Sequence, residues 1–165
     1  MKVFKYILIL LLVSLISGYF LLQNHFVQNR LFENTVRELF QADEIFMNDA
    51  LSVAVCGSRA PLPSPNRAET CLLIQAGTSK FIIDAGRGSA DNLQRWRVDY
   101  SDLEAVILSH LHSDHISDLH EVQFQSWLGG RKKPLSVIGP VGTASTAQGF
   151  EQAFKLDLSL IHISE

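Results

Sequence analysis

Cysteine is nearly absent from this 165-residue chain: Cys56 and Cys71 are the only two. Two are too few for a disulfide scaffold, and their spacing fits neither a C-x-x-C redox motif nor a zinc knuckle. No sequence argument places them in contact. A bond between them, worth about 3 kcal/mol in an oxidising compartment, and a pair of reduced core thiols therefore remain alternatives. Charge excess is missing too, since 14 Lys plus Arg stand against 17 Asp plus Glu, a net of −3. This balance excludes a disordered acidic tail and a strongly basic nucleic-acid binder. Gly86-Arg87-Gly88 lacks the third glycine and the acidic partner of a dinucleotide fingerprint. Ser58 follows Gly57 outside any G-x-S-x-G frame, which removes a serine nucleophile. No internal repeat is present, and the length allows one domain.

Long apolar runs are also rare, with one exception. From Tyr6 to Leu22 the chain reads YILILLLVSLISGYFLL without a charge, preceded by Lys2 and Lys5. As a helix the run extends about 25 Å, and Val3 and Phe4 lengthen it if Lys5 snorkels, so residues 1–30 are predicted to be a membrane anchor contacting the bilayer through residues 3–22. An uncleaved anchor is preferred to a signal peptide because no A-x-A-like site follows and the run exceeds a usual signal core. Either reading exports the chain, in a bacterium to the periplasmic side of the inner membrane. Residues 31–165 then hold 11 bases and 17 acids, a net of −6. Phe32, Val36, Leu39, Phe40 and Met47 recur at near-helical spacing and predict a juxtamembrane helix over 31–50.

Beyond residue 50 strands alternate with helices, which predicts a layered α/β domain over 51–157. LSVAV at 51–55 leads into a loop bearing Pro61, Pro63 and Pro65, through which no helix passes. Runs at 71–76 and 80–83 flank Gly77-Thr78-Ser79 and predict a hairpin. The second run ends at Asp84, and a helix capped by Ser89 is expected to reach about Arg97. EAVILS at 104–109 predicts a buried strand, followed by a helix from His115 to about Leu128, a strand at 135–138 and a helix at 143–154.

The chemistry gathers where the buried strand ends. His110-Leu111-His112-Ser113-Asp114-His115 puts three imidazoles and a carboxylate into six positions. In an extended segment side chains two apart share a face, so His110 and His112 can hold one metal while the turn after Ser113 swings Asp114 and His115 toward another. Neutral imidazole and carboxylate suit zinc. Arg59 and Arg67, in the proline loop, are candidate contacts for an anionic substrate, against a plain reading as solvated loop charge. His120, five residues past His115, is poorly placed to join the motif and is expected to be exposed or locally hydrogen-bonded.

H-x-H-x-D-H, together with CGSRAPLPSPNR, FIIDAGRG and PLSVIGPVGT in that order, resembles the metallo-β-lactamase superfamily, in its ribonuclease Z and arylsulfatase-like branch, from about Val53 to Asp157. The resemblance implies an αβ/βα sandwich, present here as its first half. It also implies two zinc ions, with His110 and His112 on the first, Asp114 and His115 on the second, and Asp84 orienting a ligand histidine. Asp118 stands where many members have glycine. The implied activity is hydrolysis of a phosphodiester, sulfate ester or related ester by a zinc-activated water, with Asp114 in proton transfer. A tRNA 3′-processing endoribonuclease is the alternative; the export segment and the net −6 body oppose a nucleic-acid partner. A membrane-tethered, non-catalytic metal-binding module is a third reading. The remaining ligands of such a site are not visible in the chain. Residues 158–165, LSLIHISE, resemble the translation of a sequencing-library adapter, so His162 is set aside as a ligand.

Overall fold

A computed structural model describes residues 2–39, 50–62 and 64–157 of the chain. Two units separate between Leu39 and Phe40. The first holds helices α1 (Lys2–Gln23) and α2 (His25–Leu39). Asn24 divides them: its side-chain oxygen accepts the Phe26 N–H at 2.9 Å, the bond by which an asparagine starts a new helix. The helix expected over 31–50 thus starts earlier, at the Asn24 cap. Phe40, Met47 and the rest of 40–49 lie outside the described residues, as does the 158–165 tail.

The transmembrane anchor expected in residues 1–30 needs correction. Among the described residues no helix is long and apolar enough to cross a membrane.

In the second unit five strands form one sheet in chain order: β1 (Leu51–Gly57), β2 (Cys71–Ala76), β3 (Ser79–Ile83), β4 (Leu103–Ile107) and β5 (Ser136–Ile138). The first two pairings are antiparallel and the last two parallel. The β2–β3 turn passes through Gly77 at φ +60°, a conformation that glycine adopts without strain. Parallel neighbours need crossovers, which α3 (Ser89–Arg95), α4 (Ser113–Ile116) and α5 (Leu119–Leu128) supply; α6 (Thr143–Ala153) follows β5. The single helix expected from His115 to Leu128 is two, broken at Ser117-Asp118. Ser89 does not cap α3; Gly88 holds the cap position in a left-handed conformation and Ser89 is buried inside the helix.

Pleating divides the sheet into unlike faces. Cys56, Cys71, Leu73, Ile82 and Val106 point to one side and form the core with Ala90 and Leu93 of α3 and Leu119 and Val122 of α5. The register places Val53, Ile74 and Phe81, and likewise Val55, Leu72 and Ile83, on the other side. Among the described residues of this unit no helix covers that side, and Leu51, Val53 and Val55 are 76%, 57% and 57% exposed. The helices therefore pack on one face of a mixed sheet, a two-layer α/β unit.

The cysteine question resolves here. Cys56 is the extra residue of a bulge, since Val55 pairs Leu72 and Gly57 pairs Cys71. The bulge brings its sulfur against Cys71, and the two form a disulfide.

Candidate metal-facing site

Parallel pairing of Ile83 with Ile107 sets the C-terminal ends of β3 and β4 side by side. Asp84 is the next residue on one strand; Leu108, Ser109 and His110 continue the other. Asp84 is 3% exposed and has φ +60°, a conformation that costs a non-glycine residue free energy. Its carboxylate offsets that cost with three bonds. Oδ1 accepts the Ser109 N–H at 2.8 Å, while Oδ2 accepts the Ser109 hydroxyl at 2.7 Å and lies 2.8 Å from His115 Nδ1. A carboxylate only accepts, so His115 carries its proton on Nδ1 and leaves Nε2 free to bind.

The motif residues collect around this anchor. His112, extended, precedes the single turn of α4 that carries Asp114 and His115. Rings of His110 and His115 have centroids 3.9 Å apart, and those of His110 and His112 4.6 Å. Asp114 is 6% exposed, its Oδ2 3.4 Å from His115 Nε2. The structure thus brings His110, His112, Asp114, His115 and Asp84 into one cluster. It also brings in Ser109, which the sequence reading passed over; the only signal was its place between a buried strand and the first motif histidine.

The local backbone explains the tightness. The Ala85 N–H donates to the His115 carbonyl at 2.7 Å, and the Asp118 N–H to the Ala85 carbonyl at 2.8 Å. A Cβ on Gly86 would lie 2.1 Å from the Asp114 carbonyl oxygen and 2.6 Å from Glu69 Cβ, so only glycine fits. The Asp118 side chain faces away from the motif: Oδ2 accepts the Ala90 N–H at 3.1 Å at the start of α3. Burial raises its pKa above the ordinary carboxylate value, opposed by hydrogen bonds from the Ala90 and Gly88 backbone, with Asp91 and Glu121 adding to the rise.

Two candidates fall outside the cluster. Arg59 is engaged within the domain: its guanidinium bonds Glu69 Oε1 at 2.8 Å and the Leu62 carbonyl at 3.2 Å. Glu69 Oε2 also accepts the Arg87 N–H, so this pair ties the proline loop to the turn before α3. Arg67 is exposed on that loop. His120 stacks on Phe154, ring centroids 3.5 Å apart.

The donors suit a zinc ion in kind, imidazole nitrogen and carboxylate oxygen. In number they fall short: among the described residues no three His, Cys, Asp or Glu side chains form a metal-holding group.

Residues 65–137 match the model of the Metallo-beta-lactamase superfamily. The chain carries a metallo-beta-lactamase superfamily domain. Its relatives include the ribonuclease Z of Mycobacterium marinum (strain ATCC BAA-535 / M), 39% identical over 111 residues, which are 66% of this chain and 40% of the relative. The ribonuclease Z of Mycobacterium bovis (strain BCG / Pasteur 1173P2) is 38% identical over the same shares. The chain thus spans about two fifths of the length of the curated relatives that it matches. Among solved structures, the yeast long-form RNase Z superposes with TM-score 0.57 at 18% identity, covering 66% of this chain and 17% of that one. Human tRNase Z, short form, superposes with TM-score 0.54 at 23% identity, covering 64% and 39%. Both carry the fold argument alone.

Proposed function

We propose that the domain works in a metal-dependent phosphodiesterase of the ribonuclease Z kind, acting at the 3′ end of precursor tRNA. The observation that carries the reading is the identity of 38–39% to proteins named ribonuclease Z, joined to a clustered H-x-H-x-D-H motif at the ends of parallel strands. His110, His112, Asp114 and His115 would hold two zinc ions, with the missing donors supplied by the part of the fold that packs on the open sheet face. When bound, the ions supply Lewis-acid polarisation of the phosphoryl group and an activated water. Asp84 holds His115 through Nδ1, and Asp114 is the group assigned to proton transfer. The earlier objection from charge weakens in this light, because a net of −6 summed over part of a fold does not describe the surface that meets RNA.

A second reading has its own observation. Disulfides persist in oxidising compartments, so the Cys56–Cys71 bond, with the apolar helix α1, favours a domain outside the cytoplasm that hydrolyses small phosphate or sulfate esters.

One experiment separates the two. Residues 51–157 are joined to the C-terminal remainder of the Mycobacterium marinum ribonuclease Z, and the zinc-loaded chimera is offered precursor tRNA with a 3′ trailer, bis-aryl phosphate and aryl sulfate. Trailer removal that disappears in His112→Ala supports the first reading. A folded, zinc-binding chimera that hydrolyses only the small esters supports the second, and one that hydrolyses nothing overturns both.

A further inference from the structure

We infer that Ser109 is a positioning residue that passes the hydrogen-bond polarity of Asp84 to His110, fixing that imidazole with its proton on Nδ1 and a bare Nε2. Ser109 Oγ lies 2.7 Å from Asp84 Oδ2 and 3.0 Å from His110 Nδ1. A hydroxyl has one hydrogen to give. Two oxygens at 2.7 Å need that hydrogen between them, and the carboxylate has none to offer, so Ser109 donates to Asp84. Toward His110 its oxygen can then only accept, which requires a proton on His110 Nδ1. The second contact, to His115 Nδ1 at 3.4 Å, is the longer one, and that nitrogen already donates to Asp84. One carboxylate therefore sets two imidazoles, His115 directly and His110 through a hydroxyl. Both then keep a bare Nε2, that of His115 lying 3.4 Å from Asp114 Oδ2.

This arrangement differs from a set of ligands each oriented by its own acceptor. It makes the identity of residue 109 matter through its hydroxyl alone. Alanine removes the relay, while threonine keeps it. The tautomer argument does not depend on the hydrolase reading; only its use toward a cation does.

The test is long-range ¹H–¹⁵N correlation NMR of the imidazoles in the full chain at about pH 8, above the ordinary imidazole pKa of ~6.5. In the unsubstituted protein both His110 and His115 should show a protonated Nδ1 and a bare Nε2. Ser109→Ala should shift His110 to a mixture of tautomers and leave His115 unchanged, which also reports that the fold survives. Ser109→Thr should restore the His110 pattern. A bare Nδ1 on His110 in the unsubstituted protein overturns the inference, as does an unchanged His110 in Ser109→Ala. If Ser109→Ala loses the His115 pattern as well, the decision passes to the unsubstituted and Ser109→Thr proteins: a bare His110 Nε2 in both supports the relay, and its absence in either contradicts it. Titration of the same three proteins with Zn²⁺ alone gives a second readout, in which Ser109→Ala should bind several-fold more weakly and Ser109→Thr should not; equal affinities contradict a positioning role.

Discussion

The Asp118 carboxylate accepts the Ala90 N–H at 3.1 Å across 28 positions of sequence, capping a helix whose own cap residue, Gly88, has no side chain. The bond ties the segment that follows the histidine motif to the start of α3, and so couples the two turns that frame the site. Replacing Asp118 with Ala should cost about 1 kcal/mol in a urea melt, the usual loss of an N-terminal cap. Asp118→Asn keeps an acceptor and should cost less.

A pH dependence follows from the same residue. Because burial raises the folded-state pKa above the unfolded value, the folded chain holds that proton more tightly. The contribution is full below the unfolded carboxylate pKa of about 3.9 and is lost as pH rises through the folded one. Melts of the unsubstituted protein and Asp118→Asn over this range should show the asparagine variant gaining relative stability as pH rises. A difference independent of pH would show that Asp118 is not held in this desolvated position.

Gly86 is the tightest point of the site. A methyl group there meets the Asp114 carbonyl oxygen, a backbone atom that cannot turn aside. Gly86→Ala should destabilise by about 3 kcal/mol, at the upper end of overpacking costs, and should disperse the His110 and His115 imidazole signals. Retention of both would mean that the turn yields freely.

The Cys56–Cys71 bond closes a separation of 15 residues between adjacent strands. Its removal should cost about 3 kcal/mol. A thiol count on the denatured, unreduced chain should find no free cysteine, and reduction should lower the melting temperature. Two free thiols would return the pair to the reduced alternative.

The uncovered sheet face should bind an apolar dye. Val53→Thr with Val55→Thr keeps β-branched side chains at exposed positions and should lower dye binding with little change in stability. Undiminished binding would place the dye elsewhere.

The strands were readable because each is an apolar run bounded by Gly, Pro or Asp. Cys71–Ala76 is the clearest case, its edges marked by the proline loop before it and Gly77 after it. The motif histidines were legible for a different reason: metal chemistry needs particular side chains at short spacing, and that survives in a linear string. Three contacts were hidden from the sequence by register and distance. Cys56 meets Cys71 through a bulge, Arg59 is claimed by Glu69, and α3 is capped by Asp118 rather than Ser89. In each, the partner is separated by ten or more positions and chosen by packing. Ser109 was missed because a serine between a strand and a histidine has no signature until Asp84 stands beside it.

The central claim is that the cluster at the ends of β3 and β4 is a cation site. Titrating the full chain with Zn²⁺ by calorimetry, beside His110→Ala, His112→Ala and His115→Ala, tests it most directly. Weak binding, reflecting an incomplete ligand set, that each substitution further reduces is the predicted result. Zinc affinity unchanged by all three substitutions would contradict the account.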